Sequence, residues 1–286
     1  MSEQFDGDWL ALREGFDAAS RSVALAMQLA AMLPARPRIL DMGCGTGSLF
    51  RWLAPIIGRS QHWTLVDADD ALLDRALAEI IDWGAAGGFE IWPTLDGVAL
   101  VDGDLRWEVA LRQGELSDPR RVPLPGMDAV VCSALLDLVS ASWIDGFTAR
   151  LRVPLLACLN VDGRDTLLPR HPGDGLVRRG FRRDQGRDKG FGPALGPRAD
   201  ATLRRALAAQ GFALHGAVSD WRIPPVATGM LCDLVDGHAG AALRWLPGQA
   251  RAIAAWRRAR LAQASRGALA MRVGHRDTLA TPAGRK

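Results

Sequence analysis

The chain has 286 residues, 48% of them apolar and 23% charged, which suits one generous α/β domain or a core with an appendage. Its formal charge of +3 is too small to argue by itself for nucleic acid or an anionic membrane. The cysteines (Cys44, Cys132, Cys158, Cys232) are far apart with no C-x-x-C pair, which argues against a disulfide frame or zinc knuckle and for reduced thiols in a cytoplasm.

Residues 8–33 read as two short helices or one bent helix, with Gly15 near the join and Pro34 at the end. The apolar run 23–33 follows acidic residues (Glu3, Asp6, Asp8, Glu14, Asp17) instead of basic ones, and it is too short to span a bilayer. We therefore read it as an amphipathic helix, with no membrane partner, in a cytoplasmic protein. A strand at 38–42 enters a glycine-rich turn, and Leu49, Trp52, Leu53, Ile56 and Ile57 then repeat at helical spacing up to Gly58. Residues 62–66 predict a second strand ending at Asp67. A helix with an apolar stripe from Leu72 to Ile81 follows, with Gly84 as its stop.

Strand-like runs at 89–92 and 98–101 predict a small hairpin ahead of a third core strand at 106–112. A fourth strand falls at 127–133, its helix at 142–151 and a fifth strand at 155–161. From 162 to 197 periodicity gives way to Gly, Pro, Arg and Asp, the signature of a functional or disordered loop. A helix at 199–210, a sixth strand at 212–223, a helical stretch at 225–266 broken at Pro247-Gly248, and a seventh strand at 268–273 complete the pattern, with a fraying tail after Pro282. This alternation predicts a doubly wound, mostly parallel α/β sheet. The organisation expected is a helical cap (1–36), a ligand-binding core (37–224), a helical insertion (225–266) and a last core strand with its tail (267–286).

The chemistry concentrates at Asp41-Met42-Gly43-Cys44-Gly45-Thr46-Gly47. A strand, closely spaced glycines and a helix bring bare main chain and exposed N–H groups against a ligand. A dinucleotide fingerprint would need glycine at Ser48, and its pyrophosphate would meet the negative Asp41 beneath the turn; a sulfonium with a free amino group would not suffer that repulsion. Asp67 lies about 24 positions after Gly43, near the spacing of about 20 at which an acid grips ribose hydroxyls.

On these residues the chain resembles the class I S-adenosylmethionine-dependent methyltransferases. Residues 39–50 (ILDMGCGTGSLF) are similar to that family's first motif, 65–69 (LVDAD) to its second-strand acid, and 127–136 (MDAVVCSALL) to its fourth-strand motif. DKGFGPALG (188–196), SALLDLVS (133–140) and SDWR (219–222) resemble a bacterial branch of the family that implies no substrate. The resemblance implies a Rossmann-like sheet of seven strands with the last antiparallel beside the fifth. It also implies S-adenosylmethionine as cofactor, held by Asp41, Gly43, Cys44, Gly45, Gly47, Asp67, Ala68 and Ser133, with Glu115 and Leu116 bordering the adenine. Asp118 competes with Glu115 for that place.

The expected activity is in-line methyl transfer to a small molecule. Asp137, just past the fourth strand, is a candidate base or substrate acceptor, or else an N-cap or surface acid. Asp188 in the long loop is a second catalytic candidate, with Lys189 and Arg187 suited to a carboxylate or phosphate, or else part of a solvated charged loop. Arg13, Asp17 and Arg21 lie at helical spacing, either facing the cofactor or forming intrahelical ion pairs. His275 is the one histidine worth testing, no metal-ligand spacing is present, and Trp92, Trp221 and Trp245 read as core or rim.

Three rival readings stand beside this one. An NAD-dependent oxidoreductase is disfavoured by Asp41 and Ser48. A nucleic-acid methyltransferase lacks its proline–aromatic motif at 132–135, although Arg178, Arg179, Arg182, Arg183 and Arg187 suit phosphates. A non-catalytic cofactor-binding module is the third.

Overall fold

The computed structural model describes residues 6–283. Helix α1 (Gly7–Ser20) is capped by Asp6, whose carboxylate accepts from the Asp8 N–H, and α2 (Val23–Met32) by the Ser22 hydroxyl, which accepts from the Leu25 N–H. The break therefore falls at 21–22, and Gly15, expected near it, lies inside α1. Arg21 is extended (ψ 141°), and the Ser22 N–H donates to Asp277 Oδ2 at 2.7 Å. A bond to a residue 255 positions away helps hold the break there.

In chain order there follow β1 (Arg38–Met42), α3 (Ser48–Ile57), β2 (Gln61–Asp67), α4 (Asp70–Ala86), β3 (Glu90–Thr94), β4 (Gly97–Asp102), β5 (Leu105–Gln113), β6 (Ala129–Ser133), α5 (Ala141–Thr148) and β7 (Leu155–Val161). The second half of the chain adds β8 (Thr166–Leu168), α6 (Asp174–Gln185), α7 (Ala199–Ala209), β9 (Phe212–Val218) and β10 (Trp221–Ile223). It ends with α8 (Thr228–Trp245), α9 (Ala250–Ser265), β11 (Ala270–Val273) and β12 (His275–Pro282).

Among the described residues one sheet has nine strands in the order β3-β4-β5-β2-β1-β6-β7-β12-β9. Strands β5, β2, β1, β6 and β7 run parallel, and β12 lies antiparallel between β7 and β9. The count exceeds the expected seven because the β3–β4 hairpin pairs onto the edge of β5 and adds two strands to the sheet. Helix α4 continues through Gly84, expected as its stop. A Cβ there would sit 2.4 Å from Leu100 Cδ2, so the missing side chain lets the helix pack against β4.

The second half departs further from what the sequence pattern predicts. The strand expected at 212–223 breaks at Ser219-Asp220 into β9 and β10, which join different sheets. The strand expected at 268–273 is β11 of a second sheet, and the antiparallel core strand is β12. Of the tail expected to fray after Pro282, residues 284–286 lie outside the described residues, as does Glu3 of the acidic opening. The expected loop at 162–197 contains β8 and α6. Helix α6 has no visible period in sequence because its buried positions are Val177, Gly180 and Asp184, which make no apolar stripe.

The second sheet, β10-β11-β8, packs with α6, α8 and α9 around Val177, Trp221, Leu231, Ile253, Trp256 and Met271. Trp9 and Phe16 of α1 join this core. Chain enters and leaves this cap at one edge, where His275 pairs with Val161 and Arg276 with Val218. That edge is the carboxyl end of the parallel strands, where open α/β sheets bind ligands. Buried Asp277 clasps the junction: its Oδ1 accepts from the Leu159 N–H (2.7 Å) and the Ser219 hydroxyl (2.6 Å), while Oδ2 takes the Ser22 N–H.

Candidate active site

The glycine turn leaves β1 with Gly43, Gly45 and Gly47 all at positive φ (66°, 53° and 77°), a region that L side chains enter only with strain. Two N–H groups, of Gly43 and Cys44, donate to the Val66 carbonyl at 2.8 and 3.1 Å, tying the turn to β2. The Gly45 N–H donates to Asp67 Oδ2 at 2.8 Å, and Asp67 Oδ1 accepts from the Asp69 N–H at 3.2 Å. Asp67 thus shapes the turn and keeps lone pairs for a ligand. Burial raises its carboxyl above the usual 3.8, opposed by these main-chain bonds.

Asp41 is fully buried at the end of β1, and neither carboxyl oxygen has a hydrogen-bond partner among the described residues. Burial pushes its pKa up to about 7; the nearby Arg21 guanidinium lowers it and Asp67 raises it. Arg21 itself is only 3% exposed. Its guanidinium donates to the Ser48 and Ser133 hydroxyls, both at 3.1 Å, and lies 3.7 Å from Asp17. Arg13 pairs with Asp17 at 3.0 Å, and Trp221 Nε1 of the cap donates to Asp17 Oδ1 at 2.9 Å. Arg13, Asp17 and Arg21 form the ion pairs at i,i+4, and the same three side chains line the cavity.

This cavity opens at the carboxyl ends of β1, β2 and β6 beneath α1 and the 188–193 loop. Of the residues expected to hold the cofactor, Gly47 alone among the described residues is not in its lining; it caps α3 and faces Ile80. Glu115 and Leu116 line the wall, and the Leu116 carbonyl accepts from Trp143 Nε1 at 2.6 Å. Asp118, the competitor, instead caps a short 3-10 turn and pairs with Arg120, whose bonds bring its carboxyl down to about 2.

The structure places the two catalytic candidates elsewhere. Asp137 is not in the cavity lining; its carbonyl accepts from the Gly196 N–H at 2.9 Å. Asp188 is also outside, its Oδ1 accepting from the Gly190 (2.8 Å) and Gly192 (3.0 Å) N–H groups. That bonding folds the loop so that its neighbours Lys189, Gly190 and Phe191 reach the cavity. His275 is buried against Trp221 at 4.9 Å, pushed down to about 4 by burial, and outside the lining. Cys132 is fully buried, and burial raises its thiol far from the reactive range.

Sequence reasoning missed Leu10, Leu138 and Phe191 in the wall. Leu10 shares a helical face with Arg13, Asp17 and Arg21, a signal that the spacing carries. Leu138 and Phe191 belong to segments with no period to read.

No protein-family model matches the chain. Over 58 residues it is 50% identical to the biotin biosynthesis bifunctional protein BioCD of Bordetella avium (strain 197N). That stretch is 20% of this chain and only 12% of the relative. Among solved structures it is similar to a provisionally assigned methyltransferase of Bacillus halodurans C-125, with TM-score 0.50 and 15% identity, over 92% of this chain and 99% of that one. A methyltransferase of Thiobacillus denitrificans in complex with S-adenosyl-L-homocysteine matches 98% of this chain and 100% of its own, with TM-score 0.44 and 15% identity. With its glycine turn between β1 and α3 and an antiparallel strand inserted beside β7, the chain has the fold of the class I S-adenosylmethionine-dependent methyltransferases.

Proposed function

We propose that the protein is an S-adenosylmethionine-dependent methyltransferase acting on a small molecule. The observation that carries this reading is Asp41, a buried carboxyl with no hydrogen-bond partner among the described residues, lining the same cavity as the glycine turn and Asp67. Unmet buried acceptors of this kind suit a cationic ligand. Bare glycine main chain and a second acid suited to ribose hydroxyls complete the match. When bound, S-adenosylmethionine supplies an electrophilic methyl on sulfur.

The chain's own residues then bind and orient. Asp41 takes the amino group and Arg21 the carboxylate of the methionyl end, two opposite charges set side by side in the wall. Asp67 accepts from the sugar hydroxyls with the lone pairs left by Gly45 and Asp69. Glu115 and Leu116 border the adenine. Leu10, Leu138 and Phe191 make an apolar wall for the acceptor and exclude water, with Lys189 beside them for an anionic group. No histidine lines the cavity among the described residues, and Asp188 stands outside its lining with Oδ1 bonded to main-chain N–H groups. Rate enhancement therefore rests on holding acceptor and methyl in line. A protonated, buried Cys132 argues against attack on a nucleobase through a thiol.

The test is calorimetric titration with S-adenosylhomocysteine and with NADH, followed by transfer of labelled methyl to small molecules and to RNA. We expect S-adenosylhomocysteine to bind and small molecules to be labelled. Binding of NADH alone overturns the cofactor, and labelling confined to RNA overturns the acceptor class.

A further inference from the structure

A second cavity lies inside the cap, between β8 and helices α6, α8 and α9, and shares no lining residue with the first. Its walls are Leu167, Val177 and Trp256. His238, on α8, also lines it and is 7% exposed, stacked on Phe181 at 3.9 Å. Its Nδ1 lies 2.7 Å from the Leu234 carbonyl, which only accepts, so Nδ1 carries the proton. Burial holds the ring below its usual 6.5, so it is neutral and Nε2 is a bare acceptor; that atom has no partner among the described residues. Asp165, on the same cavity, accepts one long bond, from the Gly274 N–H at 3.4 Å. The two groups feel each other's charge, yet no hydrogen bond or ion pair joins them.

Donors line the same cavity. Arg170 and Arg178 are exposed and, among the described residues, neither side chain has a hydrogen-bond or ion-pair partner. His171 Nδ1 accepts from the Gly173 N–H at 3.0 Å, which leaves Nε2 as the nitrogen able to donate to a ligand. The turn that offers Arg170 and His171 is pinned from both sides. Asp174 Oδ2 accepts from the His171 N–H at 2.9 Å, and buried Arg260 bonds both Asp174 oxygens at 2.6 Å and the Pro169 carbonyl at 2.7 Å. Arg170 on the pinned turn and Arg178 on α6, with two acceptors in the same cavity, form a polar site of defined sense. Among the described residues no cluster of three or more His, Cys, Asp or Glu suits a metal.

We propose that this cap cavity binds a small organic anion, a carboxylate or a phosphate ester, whose head meets Arg170, Arg178 and His171 while two hydroxyls, or one amino group, of the same molecule donate to Asp165 and His238. The site is independent of the transfer site, and its test does not need the methyl donor.

The full chain, labelled at histidine, is titrated with glycerate, with glycerol 3-phosphate and with glycerol as the uncharged control. The His238 ring resonances, assigned with His238→Gln, are followed by NMR. A saturable shift is expected with one anion or both and none with glycerol, and the anion that acts identifies the head group. Losing charge-assisted bonds in the Arg170→Ala/Arg178→Ala double variant should weaken that anion by about tenfold or more. Affinity for S-adenosylhomocysteine should not change in that variant, because neither arginine lines the first cavity. No saturable shift with either anion, equal affinity in the double variant, or an equal response to glycerol each overturns the proposal.

Discussion

Asp41 carries an acid where its charge is costly, and the cost has a sign that can be measured. Its carboxyl titrates near about 7 in the folded chain against 3.8 for the ordinary side chain. Between those values the folded state holds a proton that the unfolded state has released, so stability falls as pH rises from about 4 to about 7 and then levels off. A displacement of that size corresponds to about 4 kcal/mol as an upper bound. Asp165, Asp67 and Asp277 are raised too and tilt the profile the same way. The difference between wild type and Asp41→Asn isolates Asp41: urea unfolding at pH 5 and pH 8 should show a smaller loss in the variant. An equal loss in both proteins means that Asp41 is charged throughout. At Asp67, replacement by alanine removes the acceptor for ligand hydroxyls and for the Gly45 N–H. With charge-assisted bonds contributing about 1.5–3 kcal/mol each, S-adenosylhomocysteine affinity should fall by about 100-fold. Asp67→Asn, which keeps one acceptor oxygen, should fall in between. Calorimetry decides, and unchanged affinity in the alanine variant removes the ribose role.

Helices of the core are legible element by element, because α3 and α4 each show an apolar stripe with a helical period. Helix α6 shows none. Its buried face consists of Val177, Gly180 and Asp184, and Asp184 is matched by Arg244 at 2.9 Å and Trp245 Nε1 at 3.1 Å on α8. At Gly180 the two helices nearly touch: a Cβ would lie 2.5 Å from Ala242 Cα. Gly180→Val therefore forces the pair apart, and by the usual cost of overpacking should destabilise the chain by about 1–3 kcal/mol in urea unfolding. An unchanged midpoint shows that the α6–α8 contact yields without cost. The sixth strand reads as one in sequence because apolar residues recur on both sides of Ser219-Asp220. The break is made by Ser219, whose hydroxyl donates to Asp277, and Asp220, which pairs with Arg164 at 2.9 Å.

At the scale of the whole molecule, the cap joins α1, the segment from β8 to α6 and the stretch from β10 to β11, and two buried charged groups hold it. Asp277 ties β7, the end of β9 and the α1–α2 break through three hydrogen bonds. Arg260, fully buried, holds Asp174 and the turn at Pro169. Asp174 is half-buried and keeps the His171 and Trp256 N–H groups, so Arg260→Met, which removes its bonds from Arg260 and leaves the Pro169 carbonyl unmet, should cost about 1–3 kcal/mol. Hydrogen exchange locates the loss: faster exchange in α6 and α9 with α3 still protected is expected of a cap that loosens by itself. Uniform acceleration across the chain refutes that, and shows that cap and core unfold together.

The sequence by itself determined the strand–turn–helix from β1 to α3, the acid that ends β2 and the mostly parallel character of the core sheet. These depend on glycine dihedrals and on periods of two and 3.6, which a few neighbouring residues express. Tertiary structure alone decided that Asp41 loses its water, that Arg21 turns inward beside it, and that Asp137 and Asp188 stand outside the cavity. It also decided which of two adjacent late strands, β11 or β12, enters the core sheet. Such outcomes depend on burial and on partners far along the chain, as in the bond between Trp221 and Asp17 across 204 residues. No local pattern records what a side chain meets once the chain has folded.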